Sequence, residues 1–254
     1  MLHITMSRAA KRNALTSEMC AKIVKAVNAA QNSKDVGAVL IDADGHVFSA
    51  GMDLEEAAQK AGARRLSVHE KLFTLGSNSL KPIVMSVAGH ALGGGLGLVA
   101  QGHVVIAAEG SLFGLTEIRI GLWPFVVYRA VEAAVGARRT QELALTGRLI
   151  STEDALQCGL VHQISPPAEL AERAEALAND LSRCSPEAIK LGMRYVRDSR
   201  GKTWAKAGEL ANAARDKLLA SPDFAEGVAA FKEKRDPRWP NMPKNFYNES
   251  NPQK

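Results

Sequence analysis

The sequence predicts an α/β fold with a helical C-terminal region, and three observations carry that expectation. Short apolar runs alternate with helix-length segments over the first two thirds of the 254 residues. Strands separated in this way pair in parallel through right-handed crossovers, in sheets buried on both faces. Pro166-Pro167 then breaks the alternation, and helix start signals follow it. The composition, 46% hydrophobic and 23% charged, suffices for a full core and excludes the disordered and fibrous classes.

In chain order, Leu2–Met6 reads as the first strand, 17–30 as a helix, and 36–41 and 47–48 as the next strands. The nearly apolar stretch 83–100 has about the length of a membrane span, but it holds five glycines, Ser86 and His90 and follows Lys81-Pro82. It reads instead as a buried strand at Ile83–Val87, a turn containing His90, and a short helix. Strands at 104–107 and 161–164 complete the set. Three helical segments are expected beyond them, from Pro167 onward, at Ser185-Pro186-Glu187 and at Ser221-Pro222-Asp223. Ser as N-cap, Pro at the first helical position and an acidic residue in the first turn satisfy orphan amides and suit the helix dipole. The expected division is therefore 1–166 and 167–254, with a loose tail from Asn241.

Several function classes drop out. The first residues carry neither a basic segment nor a long apolar run, so the expected location is the cytoplasm. Cys20, Cys158 and Cys184 are odd in number and widely spaced, against a disulfide framework or zinc knuckle. The net charge of +5 suits a polyanionic ligand, and the scatter of the 32 Lys and Arg favours a phosphate-bearing small molecule over nucleic acid. No two histidines have metal-ligand spacing. His46, His69 and His162 read as solvated.

Residues 91–98 read ALGGGLGL. Consecutive glycines cost conformational entropy and bury nothing, so such a run serves bare backbone. Gly95-Leu96-Gly97-Leu98-Val99-Ala100 fits a dinucleotide fingerprint, but the next strand ends by Glu109, well short of the acidic residue expected about 20 positions on. A phosphate-binding loop fails because no Lys-Ser/Thr follows. Close packing of a helix on a strand remains. A second loop, FSAGMDL at 48–54, ends another strand in a tight small-residue turn. Two strand ends with free amides can aim both at one oxygen, which is an oxyanion hole.

FSAGMDL, GHALGGG at 89–95 and FGLTEIRIGL at 113–122 resemble the signature segments of the crotonase family, the enoyl-CoA hydratases and isomerases. KRNAL at 11–15, LTGRLISTEDALQCGLVHQI at 145–164 and DFAEGVAAFKEKR at 223–235 follow the same pattern in the same order. The resemblance implies a crotonase-like spiral of ββα units, a helical C-terminal region that caps and trimerises, and assembly as homotrimer or hexamer. Relatives have a strand before LHITM, so that strand is expected to be a bare edge or to lie downstream of the true start. The substrate implied is an acyl-CoA, with coenzyme A as part of the substrate and no separate cofactor, metal, nucleic acid or membrane.

Residue by residue, the resemblance assigns the oxyanion amides to Met52 and Gly94 and proton transfer to Glu117. It assigns substrate contacts to Leu15, Ala50, Gly51, Gly93 and Gly95, and CoA phosphate contacts to Lys11, Arg12 and Lys234. Trp123 and Phe125 are core residues or shape the acyl pocket. The chain departs from the pattern at Gly97, where two-carboxylate hydratases have a second Glu, at Glu55, where relatives often have Lys, and at His103, where many have Asp. The favoured expectation is conversion of 3-enoyl- to 2-enoyl-CoA by one carboxylate. The alternatives are a hydratase and a catalytically silent acyl-CoA-binding protein.

Overall fold

Among the described residues, 1–59 and 68–243 of the computed structural model, eight strands form two sheets in which every pairing is parallel. The chain begins with β1 (Leu2–Met6), α1 (Ser17–Asn32), β2 (Val39–Ala43) and β3 (Val47–Ser49), followed by the short helices α2 (Leu54–Gln59), α3 (Val68–Leu72) and α4 (Leu75–Asn78). Next come β4 (Ile83–Val87), β5 (His90–Leu92), α5 (Gly94–Val99), β6 (Val104–Ala108) and β7 (Phe113–Gly114). A 3-10 turn at Glu117–Ile120 leads into α6 (Phe125–Val135), α7 (Ala137–Thr146), α8 (Thr152–Gln157) and β8 (Gln163–Ser165). Four helices close the chain: α9 (Leu170–Ser182), α10 (Pro186–Ser199), α11 (Trp204–Leu219) and α12 (Pro222–Glu233).

The larger sheet runs β1-β2-β4-β6-β8 and the smaller β3-β5-β7. Successive turns of chain thus lay one strand in each sheet before a helical return, the ββα spiral expected from the sequence. Side chains alternate across the larger sheet. Val39, Ile41, Ile83, Met85, Val105 and Ala107 enter the main core, while Leu40, Val84 and Ile106 face outward under Leu170, Ala174 and Ala178 of α9. Covering on both faces explains why these strands read as unbroken apolar runs.

The structure corrects several boundaries. The strand expected at 36–41 begins at Val39. A Cβ on Gly37 would lie 2.6 Å from the Ser182 carbonyl oxygen, so this stretch passes against the end of α9 before it joins the ladder. The strand expected at 161–164 starts at Gln163, because the Val161 amide donates to Ala155 at the end of α8. His90 belongs to β5 rather than to a turn. Both β5 and β7 are too short to show an alternation of their own.

Among the described residues, four helices rather than three follow Pro167. The unexpected one, α11, buries none of its residues and so lacks an apolar stripe toward this chain's core. Its cap is Thr203, whose hydroxyl accepts from the Lys206 amide without the Ser-Pro-acid signature. The tail is tied down through Met242: Asn241 Nδ2 donates to Asp223 Oδ1 at 3.1 Å, and the Met242 side chain is buried. The rest of the expected loose tail, 244–254, lies outside the described residues.

Because Ala174 seats α9 on the larger sheet with no exposed surface, Ala174→Leu is expected to destabilise the fold by about 1–3 kcal/mol through overpacking. Urea titration should show a lower midpoint at unchanged slope.

Candidate active site

Two strand ends meet at the start of α5. Where β3 ends, Ser49 Oγ donates to the Asn13 carbonyl and accepts from the Gly51 amide, while Gly51 takes a φ of 95° that favours glycine. Asn13 is wholly buried and works as a clamp for KRNAL: its Nδ2 donates to Asp44 and Val47 carbonyls, and its Oδ1 accepts from the Arg8 amide. Leu15 forms a parallel bridge with Met52, in which the Leu15 amide donates to the Gly51 carbonyl and the Asp53 amide donates to the Leu15 carbonyl. Such a bridge uses the groups on either side of Met52 and turns the Met52 N–H the other way. Asp53 caps α2 through the Glu56 amide and pairs with Arg8 at 2.6 Å, fixing the exit of the loop.

Each of the four glycines around α5 has its own reason to lack a side chain. A Cβ on Gly95 would sit 2.4 Å from the Ser49 carbonyl oxygen, so helix and strand touch backbone to backbone. One on Gly94 would come within 3.4 Å of the Met52 nitrogen, which shows how near the two amides lie. As the first residue of α5, Gly94 has no intrahelical acceptor for its N–H. A Cβ on Gly93 would lie 2.9 Å from Glu117 Oε1, and Gly93 has a φ of 51°. Gly97 is closed from above: its Cβ would be 2.7 Å from Val127 of α6 and 3.1 Å from the Phe73 ring. The position where a second carboxylate would stand is filled with hydrocarbon.

Around this junction lies a cavity of about 430 Å³. It brings together Met52, Gly94 and Glu117 with Leu15, Ala50, Gly51, Gly93, Trp123 and Phe125 of the expected set. Phe125 is 78% exposed and therefore cavity wall rather than core, whereas Trp123 both lines the cavity and stacks on Tyr128. Four expected residues lie elsewhere. Gly95 packs on β3, and Lys11 pairs with Glu55 at 3.3 Å beside the cavity-lining Leu54. Arg12 holds a left-handed turn whose carbonyl accepts from the Ala50 amide. Lys234 ends α12, away from the cavity of its own chain.

The sequence reading missed the remaining walls, chiefly Phe73, Thr116, Ile120, Leu122 and Val127, and it misplaced His69. His69 is not solvated: it lines the cavity, with Nε2 buried and no hydrogen-bond partner among the described residues. The spacing of His69 and Phe73, one helical turn apart, was the available signal. His103 is a brace instead. Its Nδ1 accepts from the Ile83 amide, its Nε2 donates to the Gly76 carbonyl, and burial lowers its pKa, so it stays neutral. His162 Nδ1 accepts from the Val105 amide, which makes its ring part of the sheet edge. Cys20 is buried outside the cavity, its thiol pushed up to about 12 by burial and the nearby Glu56 carboxylate. Among the described residues no cluster of His, Cys, Asp and Glu has a metal-holding arrangement, and no helix is long and apolar enough to cross a membrane.

Glu117 begins the 3-10 turn, and the Leu122 amide closes that turn on its carbonyl. Burial pushes its carboxyl above the ordinary range against the opposing pull of a backbone hydrogen bond. Its Oε2 is buried without a partner among the described residues. An apolar cavity with two adjacent amides and one protonatable carboxyl suits a substrate in which a carbonyl gains negative charge while a neighbouring carbon exchanges a proton.

Comparison with known proteins points the same way. A sequence profile described as enoyl-CoA hydratase/isomerase matches residues 1–242. The chain is 32% identical over 241 residues to the 2,3-dehydroadipyl-CoA hydratase of Escherichia coli, covering 93% of this chain and 94% of that protein. Its fold matches human enoyl coenzyme A hydratase domain-containing protein 3 at a TM-score of 0.87 and 29% identity, over 93% of this chain and 95% of that one. It matches an enoyl-CoA hydratase of Bacillus anthracis at 0.85 and 26%, over 94% and 95%.

The raised pKa of Glu117 has a consequence for stability. The group's contribution is full below the ordinary carboxylate value and is lost as pH rises through the higher folded value. Glu117→Gln removes that loss, so its melting temperature relative to the parent should rise from acid to neutral pH. Paired thermal melts across that range check the sign.

Proposed function

The chain belongs to the enoyl-CoA hydratase/isomerase family, and on that footing we propose that it shifts the double bond of an acyl-CoA, converting a 3-enoyl-CoA into the 2-enoyl-CoA. The observation that carries this reading is the pairing of one cavity carboxylate, Glu117, with a position 97 closed by Val127 and Phe73. The thioester oxygen accepts hydrogen bonds from the Met52 and Gly94 amides. Ionised Glu117 takes a proton from C2, the electron pair spreads over the thioester and the C3–C4 double bond, and Glu117 returns the proton at C4. No atom enters or leaves. Each amide contributes roughly 3 kcal/mol where the negative charge is greatest. Coenzyme A enters as part of the substrate, and the step calls for no further cofactor.

The exposed apolar wall, with Met52, Leu54, Ile120, Leu122 and Phe125 each 40% exposed or more, supports an apolar acyl chain as occupant. A silent binding protein would have no use for a carboxyl held in hydrocarbon at a cost to stability. Hydration is the second reading, favoured by the names of the relatives and by the presence of His69 in the cavity. Assembly as a trimer or hexamer belongs to the same proposal. Trp204 and Phe231, 95% and 85% exposed on α11 and α12, are apolar surface that a single chain leaves uncovered.

On matched six-carbon substrates, 3-enoyl-CoA should isomerise faster than 2-enoyl-CoA is hydrated; efficient hydration with little isomerisation overturns the assignment. Glu117→Gln should lower isomerisation by at least about 100-fold, and Gly94→Pro, which removes one amide donor, by roughly 100-fold or more, each measured by steady-state kinetics on folded protein. Light scattering should give a trimer or hexamer at micromolar concentration, and a monomer would sink that part.

A further inference from the structure

The site contains a polar group that the isomerisation does not use. Among the described residues, two side chains that line the cavity each carry a buried atom without a hydrogen-bond partner, Glu117 Oε2 and His69 Nε2. An unpaired polar atom in a fold costs about 1–3 kcal/mol, and two in one apolar cavity point to a ligand that satisfies both. The thioester oxygen is not His69's partner, because the two amides take it.

His69 has a defined place relative to the rest. The Phe73 amide donates to the His69 carbonyl at 2.9 Å, so Phe73, the residue directly after α3, lies one helical turn beyond His69. Phe73 is also the ring that lies over position 97 and against Gly94. His69 therefore lines the cavity as a neighbour of Phe73, the ring that closes position 97, and comes from a different element of the chain than Glu117.

Resting on the acyl-CoA reading above, we propose that His69 is a second proton-handling residue of this site, one that binds and activates a water for addition to C3 of a 2-enoyl-CoA. With the ring proton on Nδ1, Nε2 accepts a hydrogen bond from the water. As the water oxygen bonds to C3, Nε2 takes its proton and the C2–C3 electron pair moves onto the thioester, held by the Met52 and Gly94 amides. Protonated Glu117 gives its proton to C2, completing the 3-hydroxyacyl-CoA. The imidazolium then returns its proton to solvent and Glu117 regains one. Burial of Glu117 supports this step by shifting its carboxyl toward the protonated form. The chain would thus hydrate through a histidine and one carboxylate, alongside the isomerisation that Glu117 performs alone.

The test compares hydration of 2-hexenoyl-CoA with isomerisation of 3-hexenoyl-CoA in the parent protein, His69→Gln and His69→Phe, with thermal melts confirming folded variants. The expected result is detectable hydration by the parent and a hydration-to-isomerisation ratio at least about 100-fold lower in both variants. Equal loss of both rates, leaving the ratio unchanged, means that His69 only supports the wall and overturns the proposal. So does a parent protein that isomerises but never hydrates, an outcome that leaves the isomerase reading standing. A parent that hydrates without isomerising removes the isomerase reading instead, and His69 is then judged on the hydration rate alone, where loss in both variants upholds it and retention overturns it.

Discussion

The contact between Gly95 and the Ser49 carbonyl, too close for any Cβ, is the constraint on which the rest of the site depends. It brings the first turn of α5 down onto the end of β3, so that two peptide groups from separate ββα units share one side of one cavity. Both groups are backbone rather than side chain. Peptide planes do not change rotamer, so these amides stand in place before any ligand arrives, and on the proposed reading this preorganisation is what would make them effective oxyanion donors. Asn13, Ser49 and Asp53 serve the same end at one remove by fixing the loop that carries Met52.

The electrostatic character of the cavity follows from what surrounds that junction. Its exposed walls are hydrocarbon, and Thr116, Glu117 and His69 are the polar side chains among its described residues. A carboxyl there loses solvation without gaining a cation, which displaces its proton equilibrium upward. The ion pairs nearby, Arg8 with Asp53 and Lys11 with Glu55, belong to the scaffold and the rim. Charge is used outside the cavity to hold geometry and is scarce within it.

Much of this was legible in the sequence because the determinants are local or depend on backbone. The glycine run, the FSAGMDL turn and the caps at Ser185 and Ser221 declare themselves through residue type and spacing, and the structure places them as expected. Four kinds of feature escaped. Strands of two or three residues carry no period, and α11 has no buried stripe. His69 looked solvated because the elements that share the cavity with it, α5 and α6, come from distant sequence. The closure of position 97 was hidden because the glycine was visible and Val127 over it was not. In each case the missing information was which distant surface packs against the residue.

The placement of Val127 ties together two properties that are usually considered apart. Helix α6 presents Val127 to Gly97 at one point and Phe125 and Val126 to the mouth of the cavity at another, all within its first turn. A shift of that helix to admit a longer or bulkier chain would also lift the hydrocarbon lid from position 97. On the proposed reading, the width of the cavity and the closure of position 97 are therefore coupled through one helix, and a change in either alters the other.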